Sequence, residues 1–353
     1  MFKNKTGLAP STFTAVAVAG ATFATPALAD DHTQVGGKIY ASYGVDLTDT
    51  PYSGYADGDP RPNGFEVDRV YLDFRQKIDD TFSVRATTDV GREDSGKLGL
   101  YLKYAYMQVK LTDDIKLRIG SAQNAQVGFS DRFWGGRWLA KSFIDQEGLV
   151  SSADIGVHAH GKHADGMFKW GAAIVNGEGY GNPDMDNDKT FQARVTVDPL
   201  NGDIKLPISL YLSQEFYTRE DVDGQNIIVA SLGFDQEFVS FWGEYVMDTP
   251  GTKFMDEAGA EQDVKSGGMS FNVVGKVPDL LNVVARYDKW DPNTDVDDDG
   301  HAMLRFGVTK NLAKKVDVGL MYETKSFEAP SAHVEGENKQ SEKAVFLRMQ
   351  AGF

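Results

Sequence analysis

Cysteine is absent from the 353-residue chain. Without cysteine the protein can form no disulfide, no thiolate nucleophile and no Cys-ligated zinc or iron-sulfur site. Basic residues are also few, with 36 Lys and Arg against 52 Asp and Glu and a net charge of -16. Because nucleic-acid binding depends on cations that neutralise phosphates, this balance disfavours a nucleic-acid partner.

Long hydrophobic runs are missing beyond the N-terminal region, and the mean hydropathy is -0.37. No later segment approaches the ~18 apolar residues that a spanning helix needs. At the N-terminus, Lys3 and Lys5 precede an apolar stretch at 13–23, and Ala27-Leu28-Ala29 comes before Asp30. This order is typical of a secretory signal with an A-x-A cleavage site. We predict a signal peptide at 1–29 and a mature domain at 30–353.

Apolar and polar residues alternate throughout the mature chain, for example over 39–45, 82–90, 206–212 and 302–308. A period of two is typical of strands with one apolar face, whereas the helical period finds almost no support. Sixteen segments follow this pattern, and an even number places both ends of the sheet on one side. They start near Lys38, Val67, Thr81, Leu98, Ile115, Asp154, Met167, Thr190, Lys205, Ile227, Val239, Gly268, Asn282, His301, Val316 and Lys343.

The connections alternate between short and long. Short connections hold turn-type residues, as at Asp79-Asp80 and Asp113-Asp114, and long ones include 46–66 and 122–153. Outer-membrane barrels alternate short periplasmic turns with long outer loops, whereas a soluble sandwich has no reason to do so. The sequence therefore predicts an all-β fold, a sixteen-stranded antiparallel transmembrane β-barrel whose third outer loop folds inward.

Charge falls on one phase of the strands. In the fourth strand the alternation changes phase between Tyr104-Tyr106 and Met107-Val109-Leu111. In the other fifteen strands, no residue on the apolar phase is charged. A lipid-facing charge costs about 2–4 kcal/mol at the bilayer midplane, so the charged phase is expected to line a wet lumen. Its arginines are Arg69, Arg75, Arg85, Arg118, Arg194, Arg286, Arg305 and Arg348.

The last strand alternates from Val345 to a C-terminal Phe353. It resembles the terminal strand by which the assembly machinery of diderm bacteria recognises outer-membrane proteins. This resemblance implies that Phe353 is an assembly signal, that the barrel assembly machinery is a partner, and that the protein resides in the outer membrane among lipid and lipopolysaccharide.

The whole mature chain resembles the sixteen-stranded trimeric porins, and the segment 64–74 followed by 81–89 is similar to the phosphate-selective porin O and P family. The resemblance implies a homotrimeric passive channel with an arginine-lined lumen and a lysine cluster on the third loop. Here the third long loop, 122–153, contains Lys141 as its only lysine.

A sixteen-stranded barrel leaves an aqueous channel, so a selective pore needs a constriction. The longest connection mixes aromatic and charged residues over 129–138. The alternative is a surface loop packed over the rim or at a subunit contact, and Trp134 and Trp138 are expected to pack against other residues. The predicted constriction residues are Asp131, Arg132, Arg137, Lys141, Asp145 and Glu147.

Seven of the inward arginines fall on neighbouring strands once the last strand pairs with the first. Such a basic wall favours small anionic solutes. The alternative is that Asp73, Asp89, Asp288 and the loop carboxylates neutralise these arginines, which would leave a weakly cation-selective general porin. We therefore predict passive diffusion of small hydrophilic, ionic solutes with a preference for anions.

The sequence supports other functions less strongly. His158 and His160 share the inward phase, but no carboxylate is identifiable beside them, and we expect no metal and no cofactor. Ser151, Ser152 and His158 are close in sequence but lack a third orienting residue, so we expect no enzyme. A barrel hydrolase and a non-conducting structural or adhesin barrel stay as alternatives.

Overall fold

The structure is a computed structural model that describes residues 32–47, 63–93, 95–134, 136–185, 187–216, 223–255, 259–328 and 341–353. The predicted signal peptide at 1–29 lies outside the described residues.

The described residues form a closed barrel of sixteen strands and a separate two-stranded hairpin. The barrel strands are β1 (Thr33–Asp46), β2 (Gly64–Lys77), β3 (Phe82–Arg92), β4 (Leu98–Lys110), β5 (Ile115–Gln123), β6 (Ala153–His163), β7 (Phe168–Val175), β8 (Lys189–Val197), β9 (Ile208–Phe216), β10 (Asn226–Asp235), β11 (Val239–Thr249), β14 (Ser266–Val277), β15 (Leu281–Asp291), β16 (His301–Ala313), β17 (Val316–Phe327) and β18 (Glu342–Gly352). The hairpin, β12 (Lys253–Met255) and β13 (Glu261–Asp263), lies in a connection predicted to be a loop.

Every neighbouring pair of barrel strands is antiparallel, and β1 closes the barrel by pairing with β18 from Lys38 opposite Gly352 to Asp46 opposite Ala344. The predicted all-β class and the sixteen-stranded antiparallel barrel are confirmed. Closure leaves no barrel strand with an unpaired edge.

The barrel is apolar outside and polar inside, the reverse of a soluble domain. On β9, Ile208 and Leu210 are 53% and 57% exposed, whereas the alternate residues Ser209 and Tyr211 are 4% and 0% exposed. Successive side chains of a strand point to opposite faces, so one alternating sequence supplies both surfaces.

The two ends of the barrel differ. At the turn end, connections are short: 78–81 joins β2 to β3, and 111–114 joins β4 to β5. At the loop end lie the longer connections, including residues 124–152 between β5 and β6, which we call the β5–β6 segment. β1 begins and β18 ends at the turn end.

A β-bulge at Lys103 explains the irregular fourth strand. The β3–β4 register runs from Thr87 opposite Tyr104 to Thr88 opposite Leu102, so Lys103 has no partner residue. Both Lys103 and Tyr104 therefore face the interior. The change of phase was predicted after Tyr106, a few residues too far along the strand. Tyr104 and Tyr106 do not reveal the phase, because their amphipathic rings suit either face of the barrel.

The ninth strand also starts later than predicted, at Ile208 and not at Lys205. Pro207 has no backbone N–H and cannot donate to a ladder. Lys205 retains only an isolated bridge to Asp235.

The β5–β6 segment contains the two short α-helices of the described chain, α1 (Val127–Phe133) and α2 (Phe143–Gln146). Among the described residues, no helix is long and apolar enough to cross a membrane.

Candidate channel and its lining

The β5–β6 segment is packed against the barrel wall through two apolar clusters. In the first, Trp134, Trp138 and Leu139 pack with Val284 of β15 and Met321 of β17. Trp134 is 1% exposed, and its indole Nε1 donates to the carbonyl oxygen of Ala140 at 2.9 Å. Both tryptophans are therefore placed among packed side chains, as the sequence suggested.

The second cluster lies around α2. Phe143 and Ile144 are buried against Tyr211 of β9, Val246 of β11 and Trp290 of β15. The Phe143 and Trp290 rings meet edge to face with centroids 6.1 Å apart. Burying such side chains is favourable by about 1.5–3 kcal/mol each, which holds the segment in one place.

Hydrogen bonds also fix the β5–β6 segment to the barrel wall. Gln126 donates from Nε2 to Glu244 Oε1 at 2.9 Å, and the Ser130 hydroxyl donates to the same oxygen. Asn124 donates from Nδ2 to the hydroxyl of Tyr211 at 3.1 Å. Glu244 is 3% exposed, so these two donors supply the hydrogen bonds that a buried carboxylate needs.

Three predicted pore arginines reach the segment instead of open space. Arg286 donates from Nη1 to the Lys141 carbonyl oxygen at 2.6 Å, and Arg305 from Nη2 to Gln146 Oε1 at 2.5 Å. Arg348 donates from Nη1 to the Leu139 carbonyl oxygen.

The same three arginines have acidic partners on the wall. Asp288 Oδ1 and Oδ2 accept from Arg286 at 2.8 Å and from Arg305 at 2.7 Å. Glu323 pairs with Arg348. Two carboxylates therefore offset most of the positive charge of these three arginines.

Within the segment, Arg137 holds two predicted constriction carboxylates. Its guanidinium lies 3.3 Å from Asp131 and 2.5 Å from Asp145. Burial lowers the pKa of Arg137, but the two carboxylates outweigh it and raise that pKa above its usual range. Burial raises the pKa of Asp131, and Arg137 offsets part of this effect.

Lys141 and Glu147 take other roles. Lys141 contributes its backbone carbonyl to Arg286, and Glu147 Oε2 lies 3.2 Å from Nε2 of His301 on β16. Arg132 is exposed on α1 and lines two of the cavities described next.

Of five cavities formed by the described residues, the largest, about 750 Å³, lies between the β5–β6 segment and strands β1–β4. Its charged lining residues are mostly cations, with two carboxylates among them. They are Lys38, Arg75, Arg85, Lys103, Arg132, Arg137, Lys315, Asp73 and Asp131.

Three smaller cavities adjoin the first, and one of them, of about 400 Å³, shares Tyr40, Arg137 and Trp138 with it and is lined by Glu66 and Asp68 as well as by cations. A turn-end cavity of about 340 Å³ shares Arg75 and Arg85 with it, and a cleft of about 260 Å³ between α1 and strands β5–β8 shares Arg132. The turn-end cavity and the cleft share Arg118. The described residues that line these two cavities include no carboxylate.

This distribution of charge depends on which arginines have a carboxylate partner. Arg69 pairs with Asp89 at 2.7 Å, and Arg75 and Arg85 both pair with Asp73 at 2.6 Å. Further along the wall, Arg118 of β5 and Arg194 of β8 have neutral acceptors, Gln108 at 3.0 Å and Thr196 at 2.8 Å. The predicted arginines therefore divide into a neutralised group and an unneutralised one.

Sequence reasoning missed Lys103 and the tyrosines beside the arginines. Lys103 Nζ lies 3.2 Å from Asp89. The Arg85 guanidinium lies 4.6 Å from the Tyr104 ring centre, and that of Arg118 lies 5.0 Å from the Tyr106 ring centre. The phase slip in the fourth strand was the available signal, since a bulge turns an additional residue inward.

The residues considered for catalysis and for metal binding are spread over two cavities. Ser152 lines the largest cavity, whereas His158 and His160 line the cleft. His158 Nε2 lies 3.3 Å from the Asp154 carbonyl oxygen. In the part of the chain that the structure describes, no group of three or more metal-ligating side chains occurs.

A closed antiparallel barrel of sixteen strands with a polar interior is the porin class of fold. No family model matches the chain. No curated protein matches it either.

Solved outer-membrane proteins share the fold. The anion-selective porin from Comamonas acidovorans is 14% identical over 91% of this chain and 99% of that chain, with a TM-score of 0.61. OmpF of Salmonella typhi, solved with daunomycin, is 9% identical over 91% and 97%, with a TM-score of 0.62. A trimer form of Vibrio cholerae OmpT is 12% identical over 91% and 99%, with a TM-score of 0.57. The chain therefore has the fold of outer-membrane porins.

Proposed function

We propose that the protein is a passive diffusion channel for small hydrophilic solutes in a bacterial outer membrane, with a preference for anions. Its fold is that of outer-membrane porins. The outer face exposes residues such as Leu210 and Phe306, 57% and 52% exposed, which suit a lipid environment.

The β5–β6 segment is proposed to lie inside the lumen and to narrow it. This placement is supported by the contacts of Gln126 with Glu244 of β11 and of Gln146 with Arg305 of β16. The largest cavity, on the other side of the segment, is then the remaining solute path.

One observation carries the anion preference: the turn-end cavity and the cleft, which share Arg118, are lined by cations and, among the described residues, by no carboxylate. Fixed charges of one sign in a narrow pore attract counter-ions and repel co-ions. The alternative, a weakly cation-selective general porin, is supported by the pairs that neutralise Arg69, Arg75, Arg85, Arg286, Arg305 and Arg348.

The proposal includes a homotrimer, export by the signal peptide at 1–29, contact with lipid and lipopolysaccharide, and recognition of Phe353 by the assembly machinery. The trimer is supported by the trimer form of the Vibrio cholerae protein. Phe353 exchanges backbone hydrogen bonds with Gly37 while its side chain is 58% exposed, so its ring is available for recognition. A passive channel of this kind uses no catalytic residue.

The test is the reversal potential of the purified protein in a planar bilayer under a KCl gradient. We expect a chloride-directed potential that Arg118→Glu shifts towards zero, because Arg118 lines both carboxylate-free cavities. Lys253→Glu is the matched control. It makes the same change of charge on the β12–β13 hairpin, outside the cavities described above.

A potassium-directed potential in the unaltered protein would favour the cation-selective alternative. Equal shifts from both variants would show that Arg118 acts only through net charge. A barrel without any conductance would contradict the channel and support a structural, adhesin or hydrolase role.

A further inference from the structure

Lys103 places a buried positive charge beside the largest cavity. Its side chain is 2% exposed, and the bulge in β4 turns it inward among the residues that line this cavity. Its Nζ lies 3.2 Å from Asp89, but Asp89 also binds Arg69 at 2.7 Å. Arg69 and Arg137 repel the Lys103 amine. Two cations therefore share the one carboxylate that the described residues provide here, and one positive charge remains in excess.

Three tyrosine rings surround the ammonium group of Lys103. Its Nζ lies 5.1 Å from the ring centre of Tyr71, 5.2 Å from that of Tyr180 and 5.9 Å from that of Tyr104. Each distance is within the ~6 Å at which the face of an aromatic ring attracts a cation. Tyr71 belongs to β2, Tyr104 to β4 and Tyr180 to the β7–β8 connection, so three parts of the chain converge on this amine.

A ring and a carboxylate stabilise a buried cation with different consequences for a passing ion. A carboxylate cancels the positive charge, as Asp288 does beside Arg286 and Arg305. A tyrosine ring carries no net charge, so it stabilises the ammonium group and leaves its positive field in the cavity. Burial protects this field from screening by salt.

We propose that Lys103 is a selectivity-determining residue of the solute path. Its charge favours anions over cations in the largest cavity, and Tyr71, Tyr104 and Tyr180 stabilise that charge in place of a second carboxylate. Lys103 acts on the passing ion directly, whereas the tyrosines are positioning residues that act through Lys103. The inference rests on the proposed channel and on its path through the largest cavity.

Lys103→Met tests the charge, because methionine is unbranched like lysine and carries no charge. The reversal potential of the purified barrel in a planar bilayer under a KCl gradient should move in the potassium direction. Lys38→Met is the matched control. Lys38 lines the same cavity but is exposed, so salt screens its charge and we expect a much smaller movement.

Tyr180 tests the rings, because it lies in a connection and its replacement leaves the barrel strands unchanged. Tyr180→Phe keeps the ring and should give the potentials of the unaltered protein at every pH. Tyr180→Leu removes the ring, so the Lys103 amine gives up its proton more readily. As the bath is made alkaline, this variant should lose the contribution of Lys103 at a pH lower by roughly one unit. Lys103→Met should lack that step altogether.

Equal movements in Lys103→Met and Lys38→Met would overturn the role of Lys103, and identical pH profiles in Tyr180→Leu and Tyr180→Phe would overturn that of the rings. Failure of the proposed function gives a different result. A potassium-directed potential in the unaltered protein, made still more potassium-directed by Lys103→Met, contradicts the anion preference of the channel alone. A chloride-directed potential that Lys103→Met leaves unmoved contradicts the role of Lys103 alone.

Discussion

Arg286 on β15 donates from Nη1 to the backbone carbonyl oxygen of Lys141 at 2.6 Å, across 145 positions of sequence. Its Nε binds Asp288 at 2.8 Å, and its guanidinium lies 4.9 Å from the Trp134 ring centre. One side chain therefore joins the wall, the backbone of the β5–β6 segment and an aromatic ring of that segment.

Arg286→Met should destabilise the barrel and loosen the segment. Breaking a buried ion pair by removing one partner costs about 3–5 kcal/mol when the other charge is left unpaired, so we expect a smaller loss here, where Asp288 retains Arg305. Arg286 is 1% exposed, and Asp288 would keep only Arg305. Denaturant unfolding should show the loss, and single-channel recordings should show a larger and noisier current.

Lys289→Met is the matched control on the same strand. Lys289 pairs with Glu328 at 2.7 Å in an exposed position, where ion pairs contribute little. Equal effects of the two substitutions would show that the Arg286 contact does not hold the segment.

Gly319→Val should displace the segment from β17. A Cβ at Gly319 would lie 3.0 Å from Cη2 of Trp138 and 3.2 Å from Cδ2 of Leu139, closer than ordinary contact. Overpacking of this kind costs about 1–3 kcal/mol. We expect a lower midpoint of thermal unfolding and an altered conductance.

Gly275→Val makes the same change where a Cβ would meet no atom within 4 Å. It should leave both midpoint and conductance near those of the unaltered protein. If Gly319→Val behaves like Gly275→Val, the packing of Trp138 on β17 is not tight.

Deletion of Lys103 should leave a barrel that still assembles. Lys103 is the bulged residue of β4, so its removal keeps Leu102 outside and Tyr104 inside. Asp89 would lose the Lys103 amine but retain Arg69 at 2.7 Å. Resistance to protease and a heat-dependent shift in gel mobility would report assembly.

Deletion of Leu102 removes one residue from the same stretch and is the comparison. It forces either Lys103 or Tyr101 to the outer face, and a lipid-facing lysine costs about 2–4 kcal/mol. Assembly yield should fall well below that of the Lys103 deletion, and similar yields would argue against the bulge.

Acidification should increase the proposed anion preference through Asp131. Burial raises the pKa of its carboxyl, so Asp131 takes up a proton at a higher pH than an exposed aspartate does. The largest cavity then loses a negative charge while Arg137 and Lys103 keep their positive charges. Because the raised pKa belongs to the folded state, this carboxyl favours folding more as the pH falls.

Reversal potentials measured from neutral pH into the acid range should show this step in the unaltered protein, and Asp131→Asn should lack it. Asp145, the other carboxylate on Arg137, remains in that variant. An unchanged pH profile in Asp131→Asn would assign the step to other carboxylates.

The strands could be predicted because one pattern of period two determines both faces of a barrel wall. Ile208 and Ser209 already show the apolar and polar phases in sequence, and the structure exposes one and buries the other. The same pattern signals the bulge at Lys103 only as a change of phase in the fourth strand and does not locate it, because the tyrosines on both sides suit either face.

The candidate site was less predictable, because its charge balance depends on partners that are distant in sequence. Arg305 and Arg194 look alike in their strands, yet Arg305 binds Asp288 and Arg194 reaches only Thr196. Strand register and the path of the β5–β6 segment decide this difference, and neither follows from residue types alone.

The pairing of β1 with β18 joins residues about 300 positions apart, such as Lys38 and Gly352. Loop-closure entropy must be overcome before such a contact stabilises anything, so barrel closure belongs to the slow, late part of folding. Until then both end strands present open hydrogen-bonding edges, which invite pairing with other chains. The seam between first and last strand is therefore where a folding barrel most needs protection from aggregation.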